Sequence, residues 1–221
     1  MKRLSIALLL VFLPLAFLSA LDWVIYNYDT SDTDFLNNHV TDVIKQGYTP
    51  VGIDLTYDDD GAELLNVLFL LDSSITFTAW KINYYYSNEE MEQDVTELMN
   101  QGWLAKDVSF TGDVAAVLFL KMDHNVSAWW IEFTEFTDDN MVKTVDYWVN
   151  EKGYTPYGIS GFDKELWLLF VKLPSVPFSE WLIEWYDFGE YEDGIYTAEE
   201  NGFVPWALMV RNGFVYILYL K

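Results

Sequence analysis

Cysteine is missing altogether from these 221 residues. Without it there is no disulfide framework, zinc–thiolate site, iron–sulfur cluster or thiol nucleophile, and no N-terminal cysteine to carry a lipid. Basic residues are scarce: 12 lysines and arginines stand against 35 aspartates and glutamates, for a net charge of −23. A surface of that sign repels phosphate backbones and anionic lipid, so nucleic acid is not expected as a partner. It suits a soluble protein, a basic partner or divalent cations. Histidine occurs twice, as His39 and His124. The two fall in unrelated contexts and read as surface residues rather than as a base or metal ligands. No phosphate-binding glycine loop is present. After the first twenty residues there is no apolar run of the length a membrane helix needs.

Those first twenty residues are different in kind. Lys2 and Arg3 precede an apolar stretch from Leu4 to Phe17, and Ala20 offers a small residue at the end. This is the form of a secretory signal peptide over residues 1–20, with a mature chain from Leu21; the alternative is an uncleaved anchor, for which Leu4 to Ala20 is at the short limit of a membrane span. Loss of Lys2 and Arg3 with the leader would take the charge from −23 to −25. The expected address is periplasmic or extracellular, with no membrane span once the leader is gone. With 52% hydrophobic and 18% aromatic residues, the remainder has ample material for a core and is not a disordered acidic tail.

What fills the chain is a motif written four times, about fifty residues apart. Each copy opens Trp-x-Ile: Trp23/Ile25, Trp80/Ile82, Trp129/Ile131, Trp181/Ile183. Each then reaches a glycine and an aromatic, Gly47-Tyr48, Gly102-Trp103, Gly153-Tyr154 and Gly202-Phe203, and closes on an apolar run such as Val67–Leu70 or Val117–Leu120. The opening segment alternates like a strand. In the second copy a capping-box pair, Ser87 and Glu90, precedes an apolar stripe Met91, Val95, Leu98, Met99, the signature of an amphipathic helix ended by Gly102. The third copy's stripe (Met141, Val145, Trp148, Val149) runs one residue longer before Gly153. In the fourth, Gly189 and Gly194 are expected to interrupt the helix. Pro50, Pro156 and Pro205, with Ala105 in the second copy, begin a further strand. The closing run, apolar on both faces, reads as central.

The expected fold is α+β: four β-α-β-β repeats (approximately 21–74, 75–125, 126–175 and 176–221) in a single domain, 21–221. The sheets would be mainly antiparallel, with helices on one face and a neighbouring repeat on the other, in a compact pseudo-symmetric arrangement. A closed ring, back-to-back pairs and an open array all satisfy the pattern.

The stretch Gly153-Tyr154-Thr155-Pro156, then Gly158-Ile159-Ser160-Gly161-Phe162 and an aromatic-rich strand to Lys172, resembles the tandem repeats that precede the catalytic domain of polyglycine hydrolases and occur in related bacterial repeat proteins. The resemblance implies a non-catalytic repeat module. Those hydrolases carry their activity on a Ser-x-x-Lys signature, and no serine here has a lysine three residues on.

Asp58-Asp59-Asp60-Gly61 with Glu63 suggests calcium, but the EF-hand register would put Thr56 first and Val67 twelfth; an aspartate-rich turn accounts for it. Asp138-Asp139-Asn140 reads as a helix start. Glu132 and Glu184 occupy equivalent places and would suit acid–base work if they met. No catalytic, cofactor or metal residue is assigned. The remaining signal is aromatic. Tyr26, Tyr85, Trp130 and Tyr186 lie on the strand face opposite the recurring tryptophans and are the expected partner-binding surface. The functional expectation is an exported, non-enzymatic protein-binding or scaffolding module. A carbohydrate- or cell-wall-binding protein, and an enzyme with an acidic site, stand as alternatives.

Overall fold

The computed structural model describes residues 22–58, 60–72, 74–174 and 177–221; the leader expected over 1–20 lies outside them. Strand, helix, strand, strand follow one another four times. The first unit is β1 (Asp22–Asp29), α1 (Thr33–Lys45), β2 (Thr49–Tyr57) and β3 (Glu63–Leu71). The second is β4 (Ala79–Tyr85), α2 (Asn88–Asn100), β5 (Trp103–Phe110) and β6 (Ala115–Lys121). The third is β7 (Ala128–Glu135), α3 (Asp138–Asp146), β8 (Thr155–Phe162) and β9 (Glu165–Lys172). The fourth is β10 (Trp181–Asp187), α4 (Tyr191–Glu200), β11 (Val204–Arg211) and β12 (Phe214–Leu220). Each unit forms its own three-stranded antiparallel sheet with the last strand in the middle, as its apolar faces demand: β1-β3-β2, β4-β6-β5, β7-β9-β8 and β10-β12-β11. The result is a mixed fold in which sheet outweighs helix.

The helices start where short polar side chains catch free N–H groups. Asp32, Ser87 and Thr137 accept from the backbone N–H of Phe35, Glu90 and Asn140. The extra residue of the third unit is absorbed without a break: α3 passes into a π-helical turn over Tyr147–Glu151, the usual way a helix houses a single insertion. The expected interruption of the fourth helix is corrected. Gly189 lies ahead of α4, and the helix runs through Gly194. A Cβ on Gly194 would strike the ring of Tyr186, so the glycine is there to let that ring lie against the helix.

The four units close on one another. Contacts run β2 to β5, β5 to β8, β8 to β11 and β11 to β2, so the innermost strands surround a common axis. The approach is close: a Cβ on Gly52 would lie 3.0 Å from Leu208 and 3.2 Å from the Ala207 backbone. Every inner strand carries a bulge at the same place, skipping Val51, Lys106, Tyr157 and Trp206 in the register. A bulge twists a strand and re-aims its side chains, which suits strands that bend around an axis.

Four apolar clusters fill the seams, each joining the helix side of one unit to the bare face of the next. Leu36, Val40 and Val43 of α1 meet Ala116, Leu118, Trp80 and Ile82. Ile195 and Ala198 of α4 meet Leu68, Leu70, Trp23 and Ile25, which closes the ring. The Trp-x-Ile residues therefore plug the seam to the preceding unit, not the interior of their own. Trp23 packs on Tyr191 and Tyr196 of α4, and Trp129 donates to Thr96 of α2 at 3.3 Å. All four tryptophans are half-buried.

Candidate functional site

Each inner strand pairs on one side only, so its other edge would leave backbone N–H groups unpaired toward the axis. Side chains from the next unit meet them. Ser109 Oγ accepts from the Leu55 N–H, Ser160 Oγ from the Phe110 N–H and Asp54 Oδ2 from the Val210 N–H, each at 2.8 Å. These three residues hold one equivalent place in successive units, and Met209 holds the fourth. Ser109 also donates to Asp54 Oδ1 at 3.1 Å and lies 3.3 Å from the Ser160 hydroxyl. A column of polar groups thus runs along a wholly buried axis.

At the end of the inner strands away from the hairpins, the bulge residues converge. Lys106 is 2% exposed, donates to the carbonyls of Val51 (2.8 Å) and Trp206 (3.1 Å), and sits 3.8 Å from the Trp206 ring centre. Burial pushes its pKa down to about 7. Beside it, Asp107 accepts from the Ile53 and Val108 N–H groups at 2.8 Å. Burial holds the carboxyls of Asp107 and Asp54 well above the usual range, with the Lys106 charge opposing this at Asp107. Where unit two has Lys106-Asp107, units one, three and four have Val51-Gly52, Tyr157-Gly158 and Trp206-Ala207. The Asp107 carboxylate occupies the space that a Cβ on Gly158 would take.

At the opposite end the inner strands turn back in their hairpins around a cavity of ≈ 560 Å³ to which all four units contribute. Tyr57, Phe162 and Phe188 stand on its lining, exposed by 50%, 39% and 57%. Asn66 and Asn27 link it to the axis: Asn27 donates to Asn66, which donates to Thr56 and the Asp54 carbonyl. Arg211 lies in the wall with its guanidinium 4.1 Å from the Phe136 ring centre. Among the described residues its Nη1 has no acceptor, and the buried Thr111 hydroxyl, also in the lining, has no partner. Tyr86, 77% exposed, follows a strand end paired to the first residue of β6 and so belongs to the same end of the ring. A second cavity, ≈ 330 Å³, lies between α2 and β7, where Asn88, Glu92 and Thr96 face Trp129 and Trp167.

The four aromatics expected to form one surface lie on four different outermost strands, each toward its own helix. Tyr85 is 3% exposed and donates to Asp94 of α2; burial and that carboxylate raise its pKa. Tyr26, half-buried, stands edge-on to His39 at 4.7 Å. Tyr186, half-buried, donates to Glu184 at 2.5 Å and meets the Tyr219 hydroxyl at 3.1 Å. Trp130 is 50% exposed and stacks on Trp148. They are not brought together. Nor are the two glutamates: Glu132 accepts from the Trp130 and Trp148 indoles (2.9 and 3.2 Å), while Glu184 is held by Tyr186. His39 is half-buried with its Nδ1 3.0 Å from the Tyr28 hydroxyl, not a free surface histidine. Asp58 is consumed by its own turn, accepting from the N–H groups of Asp60 and Ala62. Among the described residues no cluster of three acidic or histidine side chains could hold a metal, and no helix is long and apolar enough to cross a membrane.

Neither the axis nor the mouth is visible in any single copy. Their signal is visible when the copies are aligned on the glycine–aromatic pair, which sets Asp54, Ser109 and Ser160 in one column and Arg211, Phe162 and Thr111 in another. Comparison with protein families and with curated proteins returns no match.

Proposed function

We propose that this chain is an exported, non-enzymatic binding module whose partner is a protein, and that the hairpin end of the ring is the face it uses. The observation that carries the reading is the cavity at that end, assembled from all four units and edged by the exposed rings of Tyr57, Phe162 and Phe188. Exposed aromatic side chains are enriched in protein-recognition surfaces and supply their anchors. The charge of −23 favours a basic partner. The four units are read as copies of one repeat, as the likeness to the non-catalytic modules of polyglycine hydrolases implies. The bulge shared by all four inner strands supports this.

A glycan-binding reading has its own support in the groove where Trp129 and Trp167 oppose Asn88, Glu92 and Thr96, since sugar rings take an aromatic face and polar neighbours. One experiment separates the two. The chain from Leu21, and a Tyr57→Ala/Phe188→Ala variant, are used to capture material from the source's envelope fraction, with a glycan array run beside them. A protein retained by the first and lost by the second is the expected result. An array signal that depends on Trp129, with no such protein, would replace this reading by the sugar one.

A further inference from the structure

We propose that the mouth receives the C-terminal carboxylate of a polypeptide, with Arg211 as the group that pairs with it. The inference rests on the mouth being the partner face and adds the chemistry of what enters it. In a chain of 35 acidic residues, Arg211 pairs with none of them among the described residues; the salt bridges found there are Lys45–Asp42, Lys143–Asp139 and Lys221–Glu180. Its guanidinium is instead laid on the Phe136 ring, and its Nη1 lies beside Gly161, where a side chain would intrude at 3.2 Å. Thr111, 4% exposed, is in the wall of the same cavity and its enclosed hydroxyl has no partner among the described residues.

A guanidinium presents a planar fork of donors that matches the two oxygens of a carboxylate. Held against aromatic and backbone walls, it meets less competition from water than on an open surface. The net charge of −23 limits the form the ligand takes. A polyanion, such as an acidic polysaccharide, would be repelled at every residue beyond the one that reaches Arg211. A polypeptide terminus brings a single carboxylate, and basic residues behind it would be drawn to the surrounding acidic surface. The ≈ 560 Å³ cavity exceeds what a lone ion fills and falls in the range that holds a small organic ligand. Tyr57, Phe162 and Phe188 are placed to cover the last side chains of the entering chain.

The test uses the ¹⁵N-labelled chain from Leu21 and hexapeptides with two N-terminal lysines and four randomised positions, made once with a free C-terminal carboxylate and once as the amide. The free acids are expected to move the Gly161, Asn212 and Gly213 amide signals and to bind about tenfold or more tightly than the amides. Arg211→Gln is expected to erase that difference, and the comparison of acid with amide on the unaltered chain holds whether or not the variant folds. Equal binding of acid and amide at the mouth would overturn the carboxylate inference while leaving the mouth a binding face. Acetate moving the same signals as strongly at equal concentration would make this a small-anion site and overturn the polypeptide. No movement at the mouth overturns the inference outright, and the capture experiment with Tyr57→Ala/Phe188→Ala then judges the face by itself.

Discussion

At the scale of single residues, the buried pair Lys106-Asp107 departs most from what packing alone asks for. The other units place an apolar residue followed by glycine or alanine there, so the two charges replace a matched pair. Removing one of two coupled buried groups typically costs about 3–5 kcal/mol, whereas removing both together is often neutral. Lys106→Val is therefore expected to destabilise strongly and Lys106→Val/Asp107→Gly to recover most of the loss in urea unfolding. Simple additivity of the two single variants would show that they do not act as a pair. Titration adds a second expectation. Glu199, whose carboxyl burial and Asp22 push up to about 7 from its ordinary 4.5, takes up its proton earlier in the folded chain than in the unfolded one. Buried Asp54 and Asp107 shift in the same direction. Their contribution is complete in acid and is lost as pH rises through the folded values. Lys106 has the opposite sign: its pKa falls from 10.5 to about 7, so its contribution is recovered as pH climbs between those values. Thermal melts should therefore be higher at about pH 5.5 than at about pH 7. Any recovery between about pH 7 and pH 10 should vanish in Lys106→Val/Asp107→Gly.

At the scale of elements, most of the architecture was legible. The alternation in the opening strand, the capping pair Ser87–Glu90, the stripe from Met91 to Met99 and the two-faced apolar run gave strand, helix and central strand because each is a local pattern with a local cause. The facing of the first strand was not legible. A period of two separates the Trp80/Ile82 row from the Asn83/Tyr85 row, but it does not say which row lies beneath the unit's own helix; both faces turned out to be covered. The same ambiguity bears on the candidate surface, since Tyr85 is as well suited to packing under α2 as to meeting a partner. The helix of the fourth unit departs from expectation for a related reason. Glycine inside a helix ordinarily signals a weak point, and an exposed Gly→Ala would be worth about 1 kcal/mol of added stability. Here the ring of Tyr186 occupies the site of the missing Cβ. Gly194→Ala is expected to destabilise instead, by about 1–3 kcal/mol as overpacking does. A rise in melting temperature would show that the ring has room to move aside.

At the scale of the whole molecule, the seams matter more than the units. Each apolar cluster belongs to two neighbours, and a unit removed from the ring would expose the helix side of one neighbour and the Trp-x-Ile face of the other. The chain from Leu21 is therefore expected to melt in a single cooperative transition, and deletion of residues 177–221 to abolish folding rather than leave a stable three-unit fragment. Two separated transitions in calorimetry would contradict this. The arrangement itself was only partly readable: the need for a neighbour to cover the bare face was clear, but ring, pair and array satisfy that need equally until the contact between β11 and β2 is known. Around the axis, three of the four junctions are fastened by a side chain reaching a backbone N–H, at Leu55, Phe110 and Val210. At the fourth junction, Met209 brings only a thioether toward Gly161. Among these four amides, Gly161 should exchange its hydrogen soonest, because nothing comparable must be broken to expose it. Gly161 and Arg211 both lie in the mouth, so the latch missing from the ring sits beside its doorway, and whatever loosens the third unit from the fourth would widen the entrance.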